Sequence, residues 1–199
     1  MSKTHAWPLL CLLMMSGAAS ADPATCAAID DPNRRLGCYD DLFRAVTTAE
    51  SAGKWAVEVE KSPLDDSTTV YVSLRSDKPL PGRFGQAEHA SLYLRCKEGK
   101  TVAYIHFGGH FMSDNRGGGR VDYRIDMQPA RHRMMEESNN NKALGLWNGK
   151  ASIPFVKELF GGRSLYVRAT PFSESMIEAT FNISGLETAI EPLRKACKW

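Results

Sequence analysis

The sequence carries no excess of charge of either sign: 25 lysines and arginines stand against 23 aspartates and glutamates, for a formal net charge of +2. So even a balance gives no electrostatic reason to seek nucleic acid or an anionic membrane, both of which call for a concentrated cationic face. Long apolar runs are missing too. The one marked stretch, Trp7 to Met15, falls well short of the roughly 20 residues that a membrane-crossing helix takes. The cysteines form no CxxC pairs, which argues against a structural zinc site, and no histidine opens an HExxH helix. No serine, cysteine or histidine arrangement sets a nucleophile beside a base. Internal repeats and low-complexity tracts are also lacking. With 43% hydrophobic and 24% charged residues, the remaining composition is that of an ordinary soluble globular protein.

The amino end has the grammar of export. Lys3 supplies a positive start, Trp7 to Met15 a short apolar core, and Ala19-Ser20-Ala21 a small-residue cleavage site before Asp22. Residues 1–21 are therefore read as a signal peptide. Neither Cys11 nor Cys26 lies in a lipidation box, so the expected product is soluble and enters an oxidising compartment where disulfides persist.

Four cysteines remain after cleavage: Cys26, Cys38, Cys96 and Cys197. They permit three pairings, and spacing does not choose among them. The favoured pairs are Cys26–Cys38, which would clip a local helical turn, and Cys96–Cys197, which would tie the last helix to a central strand.

Periodicity divides the mature chain into a helical segment, 22–50, and a β-rich domain, 55–199. In the first, Asp31-Pro32 reads as a cap and first-turn pair, and Leu36, Tyr39, Phe43 and Val46 recur at helical spacing. From Trp55 the period becomes two. Trp55, Val57 and Val59 alternate with Ala56, Glu58 and Glu60, and a turn at 62–67 leads into an answering strand over 68–76. Further strands are predicted at 90–97, 101–107, 120–127, 164–170 and 177–183, with Glu98-Gly99-Lys100 turning one hairpin. Short helices are predicted over 154–160 and from Ser184 onward, the latter kinked at Pro192. The expected fold is mainly β: an antiparallel sandwich or barrel-like sheet with an N-terminal helical hairpin and a C-terminal helix, braced by disulfides.

Candidate chemistry is sparse. His106 and His110, with Asp114, flank a Gly-Gly step near a strand end, so helical spacing does not bring them together. No metal or cofactor site is expected. The run Arg116-Gly117-Gly118-Gly119-Arg120 precedes a strand rather than a helix, which fits a hairpin tip better than a phosphate cradle. Asp65 and Asp66 are adjacent carboxylates in a turn, where Asx-type bonds to the backbone are the ordinary role. Arg124 and Asp126 are expected on one strand face opposite Tyr123 and Ile125, and Arg168 on a face with Tyr166 and Thr170. Together with Arg95, these residues are the candidates for a ligand-facing surface; none is assigned a catalytic role.

The stretches 26–40 (CAAIDDPNRRLGCYD), 62–67 (SPLDDS), 94–96 (LRC), 101–105 (TVAYI), 123–126 (YRID), 167–171 (VRATP) and 184–199 (SGLETAIEPLRKACKW) resemble the VasI/TagO family of type VI secretion-associated proteins. The departure lies over 134–146, where the family tends to show a Trp and Ser ahead of an Ala-Leu pair. The resemblance implies a periplasmic accessory protein of a contractile secretion apparatus and carries no catalytic residue set. The expected function is thus a non-catalytic accessory or binding protein. Its expected partner is an envelope protein of the apparatus or an effector, with peptidoglycan as a further candidate. Two alternatives are an immunity-type inhibitor of an effector and a cell-wall enzyme using Asp65, Asp66 or Asp126.

Overall fold

The computed structural model describes residues 23–40, 52–82, 85–113 and 117–199. Contacts divide the chain into two units, Met1–Val46 and Thr47–Trp199.

In the first unit, helix α1 (Pro23–Ala27) is separated from a second helical stretch, α2 (residues 32–40), by a turn. A helical hairpin was expected there, and two helical stretches joined by a turn are present. Asp31 ends the turn: its Oδ1 accepts the Arg34 N–H at 2.8 Å, while Pro32 has no N–H to leave unpaired at the helix start. A Cys26–Cys38 disulfide spans the turn, with Cα atoms 5.6 Å apart. Leu36 is 60% exposed rather than part of an apolar face. Phe43, Val46 and the export segment lie outside the described residues.

The second unit is built on nine strands. These are β1 (Ala56–Lys61), β2 (Thr68–Leu80), β3 (Glu88–Lys97), β4 (Lys100–His106), β5 (Gly118–Ile125), β6 (Arg131–Glu137), β7 (Ala143–Leu146), β8 (Ser164–Ala169) and β9 (Ile177–Asn182). They form one open sheet in the order β1-β2-β3-β4-β7-β6-β5-β8-β9, antiparallel throughout. The sheet rolls so that β9 packs against β2. Helix α3 (Gly149–Glu158) lies on β4 and β7. After the short α4 (Leu186–Ala189), α5 (Glu191–Cys197) lies on β2 and β3. No helix among the described residues is long and apolar enough to cross a membrane.

Alternation explains the core. Val70, Val72 and Leu74 of β2, Leu92 and Leu94 of β3, and Leu165 and Val167 of β8 all point inward and are buried. Each such side chain contributes roughly 1.5–3 kcal/mol by leaving water. Glu98 and Gly99, both at positive φ, form the two-residue link between paired Lys97 and Lys100, as a twisted hairpin requires. Cys96, buried in β3, is bonded to Cys197 at the end of α5 across 101 residues of chain.

Several expectations are corrected. β6 and β7 carry no apolar alternation and went unpredicted. In the charged β6 only Met135 is buried, and all four residues of β7 are buried. α3 begins at Gly149, not Pro154, because Asn148 caps it: the Asn148 Oδ1 accepts the Ala151 N–H at 3.0 Å. Pro192 kinks nothing; it sits in the first turn of a new helix, α5, where a missing N–H is harmless. Gly118 and Gly119 are not a hairpin tip but the start of β5, paired with β6. A Cβ on Gly118 would lie 2.3 Å from the Met135 carbonyl oxygen, so the close strand approach requires glycine.

Candidate functional site

β3 sends Leu92, Leu94 and Cys96 into the core and leaves Tyr93 and Arg95 on the opposite, outer face. Strand registers align Ser73, Tyr93, Tyr104, Gly145 and Glu136 in one row across β2, β3, β4, β7 and β6. A Cβ at Gly145 would come within 2.7 Å of the Tyr104 Cβ and 2.8 Å of the Trp147 ring. The missing side chain makes room for the Trp147 indole, whose Nε1–H donates to the Glu136 carbonyl at 3.1 Å. The outcome is an unbroken aromatic row. Tyr93 and Tyr104 stack at 5.0 Å between centroids, and Tyr104 and Trp147 at 5.2 Å, contacts worth roughly 0.5–1.5 kcal/mol each beyond the area they bury.

Arg95 stands beside this row, in register with Tyr71 and Val102. Its Nε is buried and meets no hydrogen-bond partner among the described residues. The groove alongside, about 770 Å³, takes Tyr93, Arg95, Tyr104 and His106 from β3 and β4, and Glu136 and Trp147 from the β6–β7 side. Burial holds the Tyr104 phenol above its ordinary value, with the Arg95 charge opposing in part. Burial, and then Lys142, hold His106 below its ordinary value. Both groups are therefore uncharged at neutral pH, and the β3–β4 wall keeps a single cation, the Arg95 guanidinium. A half-buried guanidinium among aromatic rings is suited to hold an oxyanion, such as a carboxylate or phosphate, on the side of the groove away from Glu136 and Glu137.

The other predicted site residues lie elsewhere. Arg168 is committed to a cross-strand pair: its Nη2 is 3.1 Å from Asp122 Oδ2, and the two residues are register partners on β8 and β5. Arg120 Nε reaches Asp122 Oδ1 at 2.7 Å. These bonds, Arg120 first, hold the Asp122 carboxyl below the usual range. The cluster borders a cavity of about 390 Å³ that includes Phe172 and Met176. Arg124 clasps a turn, donating from Nε to the Gln128 carbonyl at 2.9 Å and from Nη2 to that of Met127. Asp126 is not on the strand face with Arg124. β5 ends at Ile125, Asp126 has φ +48°, and its Oδ1 accepts the Arg163 and Ser164 N–H groups at 3.1 and 2.9 Å. Asp65 Oδ1 accepts the Ser67 N–H at 3.2 Å; bonds with Ser62 and then Ser67 lower its carboxyl. Asp66, at φ +55°, belongs to the same turn. Both are turn-forming residues.

His106 and His110 do not converge. His106 borders the outer groove. His110 is buried, with Nδ1 2.8 Å from the Glu174 carboxylate and Nε2 2.8 Å from the Pro81 carbonyl. Asp114 and Arg116 lie outside the described residues.

Sequence reasoning found Arg95 but missed Tyr93, Tyr104 and Trp147 around it. Strand alternation puts Tyr93 beside Arg95 and Tyr104 beside His106, and that signal was available. Trp147 joins them only through Gly145 on the unpredicted β7.

A single rolled antiparallel sheet, tied to its C-terminal helix by one long-range disulfide and carrying an outer-face groove, defines a mainly β protein. The sequence matches, over residues 25–199, the family described as Type VI secretion system VasI, EvfG, VC_A0118. The chain belongs to this family, and membership associates it with type VI secretion. No curated protein matches it. Among solved structures, the crystal structure of invasion associated protein B from Bartonella henselae is similar at 12% identity and a TM-score of 0.46, over 74% of this chain and 96% of that one; a likeness this distant carries no argument.

Proposed function

We propose that this chain is an exported, non-catalytic binding protein of the type VI secretion system, and that it recognises an oxyanion-bearing component of the envelope through the groove beside Arg95. The observation that carries this reading is the Arg95 guanidinium, whose buried Nε meets no hydrogen-bond partner among the described residues amid Tyr93, Tyr104 and Trp147. A desolvated donor left open is unfavourable unless something fills it. A periplasmic setting is supported by the export grammar of residues 1–21 and by two disulfides. The non-catalytic role is supported by the use of the candidate acids: Asp65 and Asp126 accept backbone N–H groups within turns.

The test is complementation of a deletion strain with the wild type, Arg95→Gln or Arg95→Lys, following effector release on cell contact. Arg95→Gln is expected to reach the periplasm with an unchanged melting temperature and to lose most release, with Arg95→Lys intermediate. Full release with Arg95→Gln would refute the groove reading. Soluble fragments released from purified peptidoglycan would refute the non-catalytic one. An intact amino terminus on the periplasmic protein, in place of one starting at Asp22, would overturn the processing.

A further inference from the structure

β1 ends the sheet, so among the described residues no strand lies along its outer edge. All six of its residues are exposed. Val57 and Val59 face the same way as their register partners Val72 and Val70, yet they are 40% and 57% exposed where the partners are 0% and 1%. The layer that seals β2, formed by β9 and α5, stops short of β1. On the opposite face Glu58 and Glu60 stand beside Tyr71 and Thr69. Among the described residues the edge thus offers a row of backbone donors and acceptors with no ladder partner, and two uncovered valines alternate with two carboxylates. An exposed edge of this kind is a template for strand addition.

A second copy of β1 does not fit it. A two-fold strand pair is antiparallel, and residues directly opposite share a face. Centring the pair on Glu58 (residues 56–60) sets Glu58 against Glu58. Centring it on Val59 (residues 57–61) sets Glu58 against Glu60. The register of full overlap sets each valine against a glutamate. Like charges directly opposed are destabilising, so the glutamates act against self-pairing.

We propose that β1 is a docking edge for an extended segment of another protein, in which apolar side chains alternate with lysine or arginine. Backbone ladder bonds would hold the strand, its apolar residues would cover Val57 and Val59, and its cations would meet Glu58 and Glu60. Charge complementarity selects this occupant, and it is local: the whole chain is itself net positive, at +2, so general attraction does not draw a basic strand.

The experiment titrates the full mature protein with three capped hexapeptides, Lys-Val-Lys-Val-Lys-Val, Glu-Val-Glu-Val-Glu-Val and the block peptide Lys-Lys-Lys-Val-Val-Val, and reads amide hydrogen exchange along the chain. The alternating basic peptide is expected to slow exchange over residues 56–61 and to bind about tenfold more tightly than the block peptide. The double variant Glu58→Lys/Glu60→Lys, altered only at exposed positions, is expected to switch preference to the alternating acidic peptide. The proposal is overturned by equal protection from the block peptide, by unchanged exchange in β1, or by failure of the charge-reversed variant to switch. Protection of β1 that grows with protein concentration alone would show a second copy as the occupant and would likewise overturn it. None of these outcomes depends on Arg95, so the groove reading and the docking edge stand or fall separately.

Discussion

β1 and β9 are the two terminal strands of one sheet, and both alternate apolar with polar residues: Val-Glu-Val-Glu in one, Ile-Glu-Ala-Thr-Phe-Asn in the other. Ile177, Ala179 and Phe181 of β9 are buried, while Val57 and Val59 of β1 are not. The cause lies in the roll of the sheet. It carries β9 over β2, so the apolar face of β9 finds the core, while the apolar face of β1 lies past the rim of that cover. Alternation therefore states which face of a strand is apolar. Whether anything covers that face depends on contacts far away in sequence.

The contrast can be tested first through the cover itself. Replacing Cys96 and Cys197 together by serine frees α5 from β3 and reopens a loop of 101 residues. In the loop-entropy model this costs about 4–5 kcal/mol, against about 3 kcal/mol for the Cys26–Cys38 bond. Urea unfolding of the second unit should show a loss of that size, and an unchanged midpoint would mean that packing alone holds the cover. Next, Phe181→Ala should cost about 3–5 kcal/mol and Val59→Ala under about 0.5 kcal/mol; similar midpoints for the two would erase the difference between the edges.

A third test moves to the groove. Gly145→Ala must push the Trp147 indole off Tyr104, at about 1–3 kcal/mol. A shift in tryptophan emission should accompany the loss, and unchanged emission would show that the row tolerates a side chain there. The smallest effect is expected at Asp122. Because its folded value is lowered, the stability it supplies is complete above the ordinary carboxylate range and fades as pH falls through that lower value. The Arg120 and Arg168 side chains are 59% and 42% exposed, so screening keeps the contribution under about 1 kcal/mol. The gap between wild type and Asp122→Asn should narrow as pH falls below the ordinary carboxylate range; a constant gap would remove the ion pairs from the account.

The mainly β class was legible because β2, β3, β4, β5, β8 and β9 show a period of two or apolar stretches between turn signals. β6 was hidden since Arg-His-Arg-Met-Met-Glu-Glu places a single residue in the core. β7 was hidden because four buried residues in a row have no period. The start of α3 was missed because Pro154 is the louder signal in sequence, while the Asn148 side chain supplies the bond that opens the helix. Of the groove, Arg95 could be placed by alternation alone. Its neighbour Trp147 depends on an absent Cβ at Gly145, which no local pattern announces.

The positions of the four thiols also set an order of events. A chain emerging amino end first presents Cys26 and Cys38 together, 12 residues apart, long before Cys197 appears. Early closure of that pair leaves Cys96 as the one thiol still waiting, and its remaining partner is the correct one. The small N-terminal loop thereby guards the long-range bond against mispairing: a chain lacking Cys38 should pass through Cys26–Cys96 isomers, which persist until the Cys197 thiolate attacks Cys96 and releases Cys26.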